Sequence, residues 1–531
     1  MPAPSLKSEA TEPSDCVIIQ ESSLYKVTRM VYNILKTKGA WDFMPYIQGE
    51  DRNQIILFPE SIDEYITEEN VVRIIDEYVS QLNVKALGFK FAECPSVGRP
   101  PYDPKDMLKL YIYGYLNRVR SSRRLEQESI RNIEVMWLLK KARPDFKTIA
   151  DFRKNNKKAL KAVFREFNKL CDQWGLFGKE TVAVDGSKFR ACNSKKRNFS
   201  QKKIARLLGY IDEKIDRYMK DMEEQDQLEN EVDRKPSVEE IKTRIQELRT
   251  RKDTYEGYKK ELTEKNENEL STTDPDARLM SSNNNGVDMS YNIQTTVDAK
   301  HKLVVDYKVT THANDIGELD NMALRAKKLF GGLTFKVLAD KGYYKAEDLK
   351  RCVRKGITPY VSRQVHSNGT GDNDFYSDKF HYDKENDVYR CPAGKELRYA
   401  KDRRTKAEGV VGSEYRNYEA CSQCEFKVRC TKSKKGRSVC RHVDQDFLDT
   451  INEQTQENIK TYRQRQMIVE HPFGTIKRSW GAYYFLTKGR KSVTTEMGIS
   501  FLVYNLRRAI SILGVKEMLS CLKEKRNPVL I

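Results

Sequence analysis

Short apolar runs and long amphipathic stretches alternate along the chain, and each change of period marks an element. From Glu68 the apolar positions recur at helical spacing, until Pro100-Pro-Tyr-Asp-Pro104 breaks the pattern. Asp103 is placed to cap a helix that opens at Pro104. The stretch Lys105 to Leu116 is apolar on more than one face and is predicted to be buried. A basic turn and helix from Arg143 to Arg153, continued by Leu160, Phe164, Phe167 and Leu170, completes a compact helical domain over residues 60–175. Residues 1–60 form a polar, proline-bearing lead with weak periodic signals.

At Thr181-Val-Ala-Val-Asp-Gly-Ser-Lys-Phe189 the period becomes that of a strand, with Asp185 near its end. The apolar positions Ile204, Leu207, Leu208, Ile211, Ile215 and Met219, then Val238, Ile241, Ile245 and Leu248, predict two charged helices in a hairpin inserted over residues 195–280, with Pro236 between them. Two strands follow at Ser290 to Val297 and Lys302 to Val309, then a helix from about Gly317 to Leu329. Phe335-Lys-Val-Leu-Ala339 is too short for a helix and predicts a buried strand that stops on Asp340 and turns at Gly342. Acids at the carboxyl ends of strands in open α/β sheets are site candidates, although a lone one is more often a helix cap. Ile357-Thr-Pro-Tyr-Val361 gives a fifth strand, and Glu496 to Leu506 a final helix apolar enough to pack on the sheet.

Charge and cysteine usage sharpen this picture. Over 531 residues the formal net charge is +19, which points to a polyanionic partner, nucleic acid first. Arg118, Arg120, Arg123 and Arg124 cluster with Ser121 and Ser122 at a helix junction, either as a phosphate grip or as a solvated basic turn. No apolar run reaches the roughly 18 residues that cross a bilayer, so a cytoplasmic chain is expected. Eleven cysteines, several scattered singly, fit reduced thiols. Five of them fall in residues 362–455, where Cys391, Cys421, Cys424 and Cys430 have the spacing of a structural zinc or iron–sulfur site, with Cys440 beyond. Ordinary reduced cysteine in a polar insert is the alternative. A third acid, Glu470, lies seven residues after Arg463 and seven before Lys477, so a continuous helix would put all three on one face, with Pro472 expected to kink it.

The order of a strand with Asp185, hairpin strands, a helix, a strand ending on Asp340 and a late helix with Glu470 resembles the ribonuclease H-like core of DDE transposases from bacterial insertion sequences. The motifs are Val184-Asp-Gly-Ser187, Ala339-Asp-Lys-Gly-Tyr343 and Val469-Glu-His-Pro-Phe-Gly474 with Lys477. The family's upstream Tyr and Arg positions fall on Arg463 and Gln466, with Tyr462 and Arg465 each one residue out of step. The run His312-Ala-Asn-Asp315 also looks like a family feature, without an assigned role. The resemblance implies an α/β fold: a mixed-sheet catalytic core over 178–361 and 456–515, an all-helical N-terminal DNA-binding domain, a helical-hairpin insert and a Cys-rich insert. It implies metal-dependent cleavage and strand transfer, Asp185 bridging two Mg2+ or Mn2+ ions while Asp340 and Glu470 complete one each. Lys477 would hold a phosphate near the cut, and Arg118, Arg120, Arg123 and Arg124 the transposon end. Double-stranded DNA, as element ends and target, is the expected partner, bound by a dimer or higher assembly in the bacterial nucleoid. A nuclease that cuts without joining and a domesticated DNA-binding protein are the alternatives, and Glu496 is the next candidate if Glu470 is not the third acid.

Overall fold

In the computed structural model, residues 61–93, 100–227, 238–282, 286–405 and 409–526 are described. The lead over residues 1–60, Pro236 between the two predicted hairpin helices and the isolated Cys16 and Cys94 lie outside them. Six helices come first: α1 (Val71–Gln81), α2 (Pro104–Leu116), α3 (Ser122–Arg131), α4 (Ile133–Leu138), α5 (Phe146–Asn155) and α6 (Lys157–Gln173). Helix α2 starts as its sequence requires, Asp103 Oδ1 accepting from Lys105 N at 2.8 Å with Pro104 in the first turn. Ten of its residues are buried, from Pro104 to Tyr115.

The larger sheet has six strands: β1 (Thr181–Arg190), β4 (Arg278–Ser282), β5 (Gly286–Asp298), β6 (Val304–Thr310), β7 (Phe335–Ala339) and β8 (Ile357–Val361). The order is β4-β5-β1-β7-β8 with β6 also on β5, so β5 runs antiparallel to its neighbours while β1, β7 and β8 are parallel. This mixed α/β arrangement is consistent with the ribonuclease H-like core expected. Between β1 and β4 the small strands β2 (Asn198–Ser200) and β3 (Glu269–Ser271) pair at the base of a hairpin of α7 (Gln201–Gln227) and α8 (Val238–Glu264). Phe199, Ile204, Leu262 and Leu270 form its own small core. Helices α9 (Leu319–Leu329) and α10 (Ala346–Arg354) flank β7 in the chain.

After β8 comes a second sheet, antiparallel, in the order β13-β12-β11-β10-β9: β9 (His381–Asp383), β10 (Val388–Arg390), β11 (Glu396–Thr405), β12 (Gly409–Arg416) and β13 (Ser438–His442). Two short helices, α11 (Tyr418–Ser422) and α12 (Lys427–Cys430), lie between β12 and β13. The sequence predicts a polar insert without a core, but Phe380, Tyr389, Leu397, Tyr415 and Val439 bury one, and Cys391 and Cys430 pack against it. Four helices close the described chain: α13 (Gln445–Glu457), α14 (Ile459–Gly474), α15 (Arg490–Leu513) and α16 (Val515–Glu524). No single described helix is long and apolar enough to cross a membrane.

The N-terminal helices share one hydrophobic core with the sheet. Helix α15 is the link, buried from Val493 to Leu506. Asn505 Nδ2 donates to Asn168 Oδ1 of α6 and to Val304 O of β6, both at 2.8 Å, while Val304 N donates back to Asn505 Oδ1 at 2.9 Å. Gly498 lets α15 sit against the Tyr307 hydroxyl, a contact that any Cβ would block.

Candidate active site

Strands β1 and β7 pair in parallel from Thr181↔Lys336 to Val184↔Ala339, so Asp185 and Asp340 occupy the next position on each strand. Asp340 ends β7 by folding back, its Oδ1 accepting from Gly342 N at 2.8 Å to cap the turn Lys341–Tyr343. Gly342 lies in a single tight turn, as its sequence predicts, and helix α10 begins only at Ala346. Asp185, by contrast, stands mid-strand, because the antiparallel ladder with β5 carries β1 on to Arg190. Burial pushes the Asp185 carboxyl up to about 7, and the neighbouring Asp340 charge adds to this, opposed by Arg465 and by the Gly186 amide. Two acids in a place that disfavours their double ionisation are suited to a divalent cation.

A further acid, to which the sequence assigned no role, completes the neighbourhood. Asp315 Oδ1 accepts from Asn292 Nδ2 at 2.8 Å and from Gln294 Nε2 at 2.5 Å. Gln294 Oε1 in turn accepts from the Tyr343 hydroxyl at 2.5 Å, which links the His312–Asp315 run to the turn after Asp340. Burial, with these acids nearby, pushes the Tyr343 phenol well above its ordinary range, so it remains a donor. Gly186 is the hinge of the arrangement, since a methyl group there would overlap Asp315 Oδ1 and Gln294 Nε2 and press on Asn292 Oδ1. Gly186→Ala is therefore expected to destabilise the protein by about 2 kcal/mol, the usual scale of overpacking. Urea unfolding measures it, and unchanged stability would show that the cluster yields freely.

Helix α14 carries Glu470 past β1, with Ile468, Val469, Pro472 and Phe473 turned inward. The helix is not interrupted at Pro472: it runs on to Gly474 and widens into a π turn over Thr475–Ser479. That widening puts Lys477 out of the seven-residue register that Arg463 and Glu470 still share on the exposed face of α14. Glu470 is exposed, its Oε1 accepting from Gln466 Nε2 at 2.8 Å. Lys477 turns inward instead, its Nζ donating to Ser187 Oγ at 2.6 Å and Lys188 O at 2.7 Å and lying 4.4 Å from the Phe189 ring centre. Burial holds the Lys477 ammonium down to about 8, an effect the Asp185 charge opposes. Arg465, out of step with the family pattern, is the guanidinium that acts on Asp185. Glu496 is excluded as a substitute acid by its bonding: 1 % exposed, it accepts from Leu486 N, Thr487 N and Thr487 Oγ1.

The arginine turn divides. Arg118, at φ 64°, Arg123 and Arg124 are exposed, Arg123 stacked 4.4 Å from the Phe146 ring centre. Arg120 is not available to phosphate, because its side chain is 12 % exposed, donates to Tyr484 O at 2.9 Å and faces Glu496 Oε1 at 3.5 Å. The predicted serine cap also differs, since Ser121 makes no side-chain hydrogen bond to α3.

The four thiols Cys391, Cys421, Cys424 and Cys430 line one small cavity of about 30 Å³. Lys395 N donates to Cys391 Sγ at 3.4 Å, and Gly436, at φ +82°, lies so close to Cys421 that a side chain would not fit. Burial pushes the Cys430 thiol up to about 11, and Cys440 stands apart, exposed on β13. Among the described residues no group of three or more His, Cys, Asp or Glu is arranged to hold a metal ion, which applies to these thiols and to Asp185, Asp340 and Glu470 alike.

Residues 60–155 match the family model described as Transposase domain (DUF772), and residues 390–510 match that described as Transposase DDE domain. The first match spans α1 to α5 with the arginine turn; the second runs from the end of β10 through the thiols, Glu470 and Lys477 into α15. Asp185 and Asp340 lie between the two. No curated protein matches the chain.

Proposed function

The chain carries the two domains of a DDE transposase of an insertion sequence, and from that premise we propose that it binds the ends of its element and cuts and rejoins DNA strands at Asp185 and Asp340. The observation that carries this reading is the placement of both acids side by side where the parallel ladder of β1 and β7 stops, one of them pushed up to about 7. Their carboxylates would hold a divalent cation of the magnesium or manganese type, which when bound neutralises charge at phosphorus and acidifies the attacking water or 3′-hydroxyl.

The chain's own residues prepare that chemistry. Asp185 gives up its proton on taking the cation, and Arg465 favours the ionised form. Gln294 and Tyr343 hold the floor of the site through Asp315. Lys477, fixed between Ser187 and Lys188, places a cation beside Asp185 for the phosphate that is cut. Glu470, exposed and accepting from Gln466, would be the third acid. The exposed Arg118, Arg123 and Arg124 and the net charge of +19 supply backbone affinity for double-stranded DNA. The test is a labelled duplex of the DNA flanking the gene, incubated with the intact protein and Mg2+ or with chelator. Nicked and joined products in Mg2+ alone are expected, and an uncut duplex would overturn the proposal.

A structural zinc at Cys391, Cys421, Cys424 and Cys430 belongs to the same proposal, supported by the shared cavity and the amide directed at Cys391 Sγ. About one equivalent of zinc is expected in the purified protein, and its removal should lower the melting temperature. Less than about half an equivalent, with a fully soluble four-serine variant, would remove the ion from the account.

A further inference from the structure

A cleft of about 450 Å³ opens between the segment after β8 and strands β11 to β13 of the second sheet. Arg363, His366, Arg403, Arg437, Arg441 and His442 line it, and among the described residues no acidic one does. Ser367 and Ser377 add neutral hydroxyls to the same wall, whereas Ser438 is hydrogen-bonded to Glu414. Behind that wall, Arg441 is held by Asp446 and by Asp449 at 3.9 Å, and Arg363 meets the same Asp449 at 3.9 Å. Among the described residues no carboxylate pairs with Arg403 or Arg437. Arg437 Nε is buried without a hydrogen-bond partner, its guanidinium 5.5 Å from the Phe380 ring centre. Guanidinium groups along a wall whose described lining holds no carboxylate suit an anionic ligand, and their planar fork suits a phosphate diester.

The cleft adjoins the acids. Ala339 of β7 pairs with Val361 of β8, which puts Asp340 beside Ser362 and one residue from Arg363. Gln364 Nε2 donates to Lys341 O at 2.7 Å, and Tyr344, four residues after Asp340, forms part of the lining. A DNA strand leaving the acid pair on this side therefore meets the arginines next.

We propose that this cleft between the second sheet and the catalytic-type core holds the sugar–phosphate backbone of DNA adjoining the bond that is cut. The proposal rests on the DNA-cutting function above and assigns to the second sheet a part in binding the substrate. It leaves open whether the backbone is that of the element's end or of the target, since both present the same phosphates.

The experiment measures DNA affinity against salt for the full chain and for Arg363→Ala/Arg403→Ala, in chelator, on a duplex of the flanking DNA and on a duplex of random sequence. Each lost phosphate contact lowers the slope of log affinity against log salt by about 0.9, so a fall of roughly 2 is expected, restored by the Arg363→Lys/Arg403→Lys pair. A fall confined to the flanking duplex assigns the cleft to the element's end, and a fall on both assigns it to general backbone contact. A parental slope on both duplexes overturns the proposal. Because the readout needs no cleavage, a protein that binds in this way yet never cuts would contradict the cutting function and leave the cleft standing. A protein that cuts while the slope is unchanged would do the reverse.

Discussion

Replacing Asp185 by asparagine should abolish magnesium-dependent cutting, lowering it by about a thousandfold or more, while DNA binding stays near its parental value. The amide keeps the size of the side chain and its place between Val184 and Gly186, and removes the charge that would attract the cation. Stability should move the other way. The Asp185 carboxyl, pushed up to about 7 by burial and by Asp340, opposes the fold when ionised and metal-free, so a neutral amide should hold or raise the melting temperature near pH 8. Inactivity with undiminished stability is the mark of a functional residue. Parental cleavage by Asp185→Asn would place the chemistry elsewhere.

Arg120→Ala is expected to act on stability and hardly on DNA contacts. It takes from Glu496, 1 % exposed, its nearer cationic neighbour and leaves the more distant Arg153 to offset the buried carboxylate, at a cost of up to about 3 kcal/mol. The Arg120 cation also lies 4.9 Å from the Tyr484 ring centre, so the substitution loosens the loop before α15 as well. Urea unfolding reads the loss, and adding Glu496→Gln to the same chain should recover part of it. Unchanged stability with a smaller salt slope for DNA binding would mean that Arg120 grips phosphate after all.

The elements that place the acids were legible because their signals are local. The run from Phe335 to Ala339, the turn glycine at 342 and the cap at Asp103 each follow from a few neighbouring residues. The helical hairpin was legible from its period. What was hidden depends on distant partners. Asp185 is mid-strand only because β5, about a hundred residues later, extends the ladder to Arg190. Arg120 looks like one of four equal arginines until Glu496 folds against it. Strand β4 escapes the sequence because it is a short edge strand, and β11 because almost its whole length is exposed, leaving no alternation to detect. Asp315 lay in a noted run, but its meaning comes from Asn292 and Gln294 on β5. Lys477 was legible as a cation near the acids; its inward course depends on the π turn that Pro472 precedes.

If Asp185 and Asp340 together hold the divalent cation, Mn2+ must bind the metal-free protein through them. The folded Asp185 value of about 7 lies above the roughly 3.9 of an unfolded chain, so the folded metal-free protein holds the extra proton between them and loses stability as pH rises through that window. Binding must displace this proton. Calorimetry should therefore show Mn2+ affinity rising from about pH 6 to about pH 8, with proton release at the lower pH, and no binding by Asp185→Asn/Asp340→Asn. A double variant that binds Mn2+ as tightly as the parent, with the same pH dependence, would contradict the account.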